Sequence, residues 1–89
     1  MTIERTVTIT NKRGLHARAS AKFVTLASSQ SASVEVEKDG SKVAGTSIMG
    51  LMMLGAAMGD SVKISAQGDG ADVAVGALCD LVENKFGEE

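Results

Sequence analysis

Residues 2 to 10 alternate in polarity, with Ile3, Val7 and Ile9 on one side and Thr2, Glu4, Thr6, Thr8 and Thr10 on the other. A period of two predicts a strand with one buried face, and Arg5 is the one misfit on the apolar side. Asn11 to Gly14 reads as a polar loop ending in glycine. From Ala17 the spacing becomes helical, because Ala19, Phe23, Leu26 and Ala27 fall at i, i+4, i+7 and i+8. The run Ser28-Ser29-Gln30-Ser31 should end that helix. Alternation returns at residues 33 to 37 through Val34 and Val36, and Asp39-Gly40 is a strong two-residue hairpin signal. A loop there pairs Lys38 with Ser41 and Val36 with Val43, which keeps both valines on one face. Residues 47 to 54 predict a short helix that needs tertiary support. Val62, Ile64 and Ala66 mark a fourth strand. Asp69 is placed to cap a last helix, whose apolar face is Ala71, Ala74, Val75, Leu78, Leu81 and Val82 and whose polar face is Asp72, Gly76, Asp80 and Glu83.

The element order is therefore βαββαβα. Strands that alternate bury one face only, so the helices belong on that face. The expected fold is α+β, an open-faced sandwich: a four-stranded antiparallel sheet covered on one side by three helices, with residues 1–89 as one domain. Composition adds one constraint. With two Phe and no Trp, Tyr or Pro, and with about a third of the chain Ala, Gly or Ser, the core must be aliphatic and closely packed through small residues.

Charge and cysteine usage narrow the function. A net charge of −2 argues against nucleic acid, which requires a clustered basic surface. One cysteine makes no internal disulfide, and Glu4 and Arg5 interrupt any signal-peptide pattern, so a cytoplasmic protein is expected. The longest uncharged stretch, residues 43–59, is short for a membrane span and carries Gly45, Gly50, Gly55 and Gly59. The single His and the single Cys lie far apart, so no metal site is expected. No nucleophile-elbow pattern supports a Ser-His-Asp triad.

His16 is the only imidazole and stands directly before a helix. An unperturbed histidine titrates near pH 6.5, so a neutral, nucleophilic ring is accessible in a cell. The first amides of the following helix and its positive dipole end favour an anion there, and the Arg18 guanidinium can reach the same anion. A nucleophile beside an anion cradle suits transient phosphoryl holding. On these residues alone, an exposed loop histidine decorating a helix start is the favoured reading.

Gly14-Leu15-His16-Ala17-Arg18-Ala19-Ser20 closely resembles the active-site segment of the HPr family, the histidine-containing phosphocarriers of the bacterial phosphoenolpyruvate-dependent phosphotransferase system. Thr46-Ser47-Ile48-Met49-Gly50-Leu51-Met52 resembles that family's regulatory serine segment. The resemblance implies that His16 accepts a phosphoryl group at Nδ1 from enzyme I and passes it to an enzyme IIA-type protein, with Arg18 beside the phosphate. It implies a relay component rather than an enzyme. It further implies that Ser47, also the expected cap of the short helix, is phosphorylated by an HPr kinase/phosphorylase. No cofactor is expected, since Mg²⁺ belongs to the partner that uses phosphoenolpyruvate. A monomer is expected of a carrier that must alternate partners. One departure stands out: most members have proline where this chain has Ala19. Alanine is a good helix former, so the turn should survive. Alanine-bearing forms point to nitrogen-linked regulation as readily as to sugar transport.

Four of the five methionines, Met49, Met52, Met53 and Met58, lie within ten residues. Ile48, Met49 and Met52 are expected to form an exposed apolar patch for partners, while Leu51, Leu54 and Met53 are assigned to the core. By resemblance the docking face also takes in Leu15, Ala17, Ala21 and Gly55. Cys79 reads as a core or boundary residue. Two other classes compete. A non-phosphorylated adaptor of the same fold would act through the patch alone, and His16 with Arg18 argues against it. A carrier with a prosthetic group on Ser47 would be strongly acidic and helical, which this chain is not.

Overall fold

The structure is a computed structural model that describes residues 2–88. Four strands, β1 (Thr2–Thr8), β2 (Ser33–Lys38), β3 (Ser41–Ala44) and β4 (Ser61–Gln67), form one antiparallel sheet in the order β1-β4-β2-β3. Three α-helices, α1 (Ala17–Ser28), α2 (Ile48–Met53) and α3 (Ala71–Glu83), are followed by a 3₁₀ turn at Lys85–Gly87. The open-faced sandwich expected from the alternation is the architecture observed.

The alternation of each strand sorts its side chains. Val7, Val34, Val36, Val62, Ile64 and Ala66 are all buried on the helix side. Against them pack Phe23 from α1, Leu51 from α2, and Val75, Leu78, Cys79 and Val82 from α3. Ala19, Ala71 and Ala74 are no more than 1% exposed, and such small side chains let helix backbones come close to the sheet. Arg5, the misfit, remains exposed and stands beside the Cys79 thiol, whose pKa is pushed up by burial against the pull of that guanidinium. The opposite face is wet. There Lys63 bridges Glu4 at 3.8 Å and Glu37 at 3.5 Å, solvent-facing pairs worth little individually.

The hairpin closes as its sequence requires. Asp39 and Gly40 have φ of 51° and 84°, the left-handed pair of a type I′ turn, and Lys38 faces Ser41 while Val36 faces Val43.

Three expectations fail. β1 ends at Thr8, although Ile9 stays tied to the β4 side through its N–H to the Asp60 carbonyl at 2.8 Å. Asp69 does not cap α3: the cap is Gly70 at φ 76°, with no side-chain hydrogen bond. A left-handed entry is a conformation glycine adopts without steric cost, and it takes the position that an acceptor side chain would hold. Met53 is 78% exposed, because a helix of six residues has room for one buried position and Leu51 fills it.

Beyond α3 the chain turns back sharply. Lys85, Phe86 and Gly87 have φ of 57°, 56° and 76°, and Phe86 is fully buried. Two non-glycine residues in the left-handed region cost about 1–2 kcal/mol each. Burying one phenylalanine returns about 1.5–3 kcal/mol, so the turn is held only with further help. Part of that help is the Lys22 ammonium, which donates to the Phe86 carbonyl at 2.7 Å.

Candidate functional site

Gly14 sets up the site. Its φ is +64°, and a Cβ on it would collide with the Ala56 carbonyl oxygen and lie 2.9 Å from the Ala57 Cα. That close approach lets the Leu15 N–H donate to the Ala56 carbonyl at 3.0 Å, tying the loop before α1 to the loop after α2. Leu15 is 6% exposed and therefore a core residue, not part of an open docking face as its place in the motif suggested. Ser20 is buried and donates its hydroxyl to the Leu15 carbonyl at 3.2 Å.

His16 is the N-cap of α1, with extended backbone at φ −76° and ψ −177°. Its Nδ1 accepts the Arg18 N–H at 3.2 Å. Its Nε2 lies 2.6 Å from Glu88 Oε2. An amide N–H can only donate and a carboxylate can only accept, so the neutral ring carries its proton on Nε2 and a lone pair on Nδ1. The side chain is 20% exposed, more covered than a free-standing loop histidine, because Glu88 lies against it.

The same carboxylate is held from its other side. Asn11, 1% exposed, directs Nδ2 to Glu88 Oε1 at 3.0 Å and to the Gly14 carbonyl at 2.9 Å. The Glu88 pKa is lowered below the usual carboxylate value, first by the Asn11 hydrogen bond and then by that of His16. Lys12, Arg13, Arg18 and Glu88 line one open depression, so three cationic side chains stand beside the carboxylate that meets the histidine. Arg18 is exposed and on the rim, where its guanidinium can reach an anion at the helix start.

The second motif lies on α2. Ser47 caps that helix, its Oγ accepting the Gly50 N–H at 3.0 Å. Ile48 (42%), Met49 (70%) and Met52 (43%) are exposed. Ala17 and Gly55 are also exposed, and Ala21 is half-buried on α1. The Leu15–Ala56 hydrogen bond puts the α2 end of this apolar surface next to the histidine loop. Cys79 is fully buried and away from this surface. Sequence reasoning missed Asn11 and Glu88. Neither falls in a periodic pattern or a motif; the one available signal was an acidic residue following an otherwise unassigned phenylalanine.

A partly exposed imidazole with cations nearby and an apolar surface beside it, on a scaffold this small, is the arrangement a carrier of one small group would need. Comparison with known proteins identifies which. The model of the family described as "PTS HPr component phosphorylation site" matches residues 3–84. The phosphocarrier protein NPr of Shewanella violacea is 43% identical over 97% of this chain and 94% of its own length. The phosphocarrier protein HPr of Neisseria meningitidis is 46% identical, covering 97% of each chain. A crystal structure of HPr from Thermoanaerobacter tengcongensis superposes with a TM-score of 0.93 at 54% identity, covering 98% of each chain. The chain belongs to the HPr family of phosphocarrier proteins, relay components rather than catalysts. Among the described residues, no helix is long and apolar enough to cross a membrane.

Proposed function

We propose that His16 takes a phosphoryl group at Nδ1 from phosphorylated enzyme I and delivers it to an enzyme IIA-type acceptor, in the cytoplasm and as a monomer. The observation that carries this reading is the pair of contacts on the ring, the Arg18 N–H on Nδ1 and the Glu88 carboxylate on Nε2, which assigns the proton of the neutral ring to Nε2. Nδ1 holds the lone pair at the start of a 12-residue helix, facing amide donors that can take over phosphoryl oxygens. Arg18, with Lys12 and Arg13 beside Glu88, supplies positive charge near the ring, which favours the arrival of a dianion. Ile48, Met49 and Met52, with Ala17, Ala21 and Gly55, form the docking apron, whose flexible thioethers suit two partners in turn.

Ser47 is read as a regulatory site for an HPr kinase/phosphorylase. A phosphate there adds roughly −1.5 to −2 charges at pH 7 beside Ile48 and Met49. At a helix start the fold tolerates it, while docking of the apolar apron requires the dianion to be desolvated. Both NPr and HPr relatives match, so the reading covers nitrogen-linked regulation as well as sugar transport.

The test is intact mass after incubation with enzyme I and phosphoenolpyruvate. One acid-labile phosphoryl group should appear and should pass on to an added IIA-type protein. No gain would leave a non-phosphorylated adaptor as the better description.

A further inference from the structure

Glu88 lies 72 positions from His16, yet its carboxylate stands 2.6 Å from the imidazole Nε2. Its placement is built, not incidental. Phe86 is buried, the backbone at Lys85 and Phe86 is held in the left-handed region, and Lys22 fastens the Phe86 carbonyl at 2.7 Å. Asn11 then fixes one carboxylate oxygen, leaving the other for His16 Nε2. The Asn11 Nδ2 uses both protons in doing so, on Gly14 and on Glu88, while its own buried Oδ1 has no partner among the described residues. Leaving a buried acceptor unmet is destabilising, so the orientation of that amide is set by the two acceptors it serves.

We propose that Glu88 is a positioning residue for phosphoryl transfer: it holds the His16 proton on Nε2, aims the ring, and faces the positive charge that the ring acquires when Nδ1 is phosphorylated. This rests on the carrier reading above. As the Nδ1 lone pair forms the N–P bond, the bond from phosphorus to the donor breaks and its electron pair leaves with the donor. The proton remains on Nε2, the ring becomes cationic, and the carboxylate is already in hydrogen-bonding contact with it. Donation reverses the step, with the electron pair returning to Nδ1 and no proton moving. The Nδ1 phosphoryl group displaces the Arg18 N–H bond to the ring, and that amide then faces a phosphoryl oxygen. Lys12, Arg13 and Arg18 offset the negative charge that Glu88 adds to the site.

Two variants separate this role from simple tail packing. Glu88→Ala removes the acceptor and keeps Phe86, so the fold, checked by thermal unfolding, should persist. Glu88→Gln is the sharper probe. Because Asn11 donates, the glutamine oxygen must face Asn11 and its NH₂ must face His16, which demands a lone pair on Nε2 and drives the proton to Nδ1. Nitrogen-15 NMR of the imidazole at a pH where the ring is neutral should show a single Nε2–H tautomer in the wild type. Glu88→Ala should give a mixture, and Glu88→Gln a shift towards Nδ1–H. Single-turnover uptake from phosphorylated enzyme I should slow on the order of ten- to a hundredfold in Glu88→Ala, the worth of a charge-assisted hydrogen bond, and further in Glu88→Gln. An unchanged tautomer in both variants, or wild-type uptake by Glu88→Gln, would overturn the proposal. A wild-type protein that takes up no phosphate would instead sink the carrier reading, and the ring-nitrogen spectrum would still judge Glu88 independently.

Discussion

The starts of α1 and α2 solve one problem with two residues. His16 and Ser47 both sit in extended backbone before a helix, and both accept an amide N–H of the first turn, from Arg18 at 3.2 Å and from Gly50 at 3.0 Å. The difference lies in what remains of each side chain. Serine commits its one oxygen to the cap. Histidine has a second nitrogen, and that atom is tied across the fold to Glu88 at 2.6 Å. The helices differ in the same sense: α1 buries Ala19, Ser20, Phe23 and Ala27, whereas α2 buries Leu51 alone and leaves its methionines in solvent. A cap is a structural duty that either residue discharges; a second polar atom and a longer, better buried helix behind it are what set His16 apart, and the proposed carrier role rests on them.

The comparison breaks most completely at His16. His16→Ala should abolish phosphoryl uptake while costing about 1 kcal/mol of stability as a lost cap, read by intact mass and by denaturant unfolding. Residual acid-labile phosphate on the variant would remove His16 from its assigned role. Next in size is the apron. Met49→Lys or Met52→Glu should weaken enzyme I binding by about 1 kcal/mol or more while stability moves within about 0.5 kcal/mol, since both side chains are already in solvent. A melting temperature that falls further than the affinity would mark them as packing residues.

Ser47 sharpens the contrast. Ser47→Ala should lose about 1 kcal/mol of stability and keep its uptake rate, because only the cap is removed. Ser47→Asp should restore the cap and slow uptake. Equal rates would confine Ser47 to capping. The smallest effect is a pH dependence. The folded pKa of Glu88 is lowered from 4.5, so its contribution to stability is present above that value and is lost as pH falls through the lower folded pKa. Acid should therefore release the 3₁₀ turn before the sheet, seen as earlier amide exchange near Phe86, and Glu88→Gln should flatten that part of the profile.

The parts of this molecule that repeat were legible without coordinates. Alternation through Val34, Val36, Val62 and Ile64 set the sheet's buried face, and Asp39-Gly40 set the hairpin register, because a period of two with a tight turn leaves little freedom. The misses share a cause. Gly70 took the cap from Asp69 through a left-handed backbone that no side-chain pattern encodes. Met53 and Leu15 changed places between core and surface, since six residues of helix and a glycine-led loop are too short for periodicity to decide. Glu88 meets Asn11 and His16 only through tertiary folding, and single residues 77 or 72 positions apart carry no shared local signal.

The sheet order has a consequence for how the protein comes into being. β1 lies beside β4, pairing Thr2 with Gln67, while the hairpin of β2 and β3 forms from neighbours in sequence. During vectorial synthesis the hairpin and α1 can therefore take shape early, while β1 waits at the sheet's edge for a partner not yet made. The clasp on His16 waits longer, until residue 88 has left the ribosome, since long-range contacts follow the local ones that make them affordable in entropy. A nascent chain truncated after α2 would already contain the imidazole and the methionines, yet it would lack both the strand that pairs with β1 and the carboxylate that meets the ring, so the surroundings of His16 assemble only once residue 88 has joined the fold.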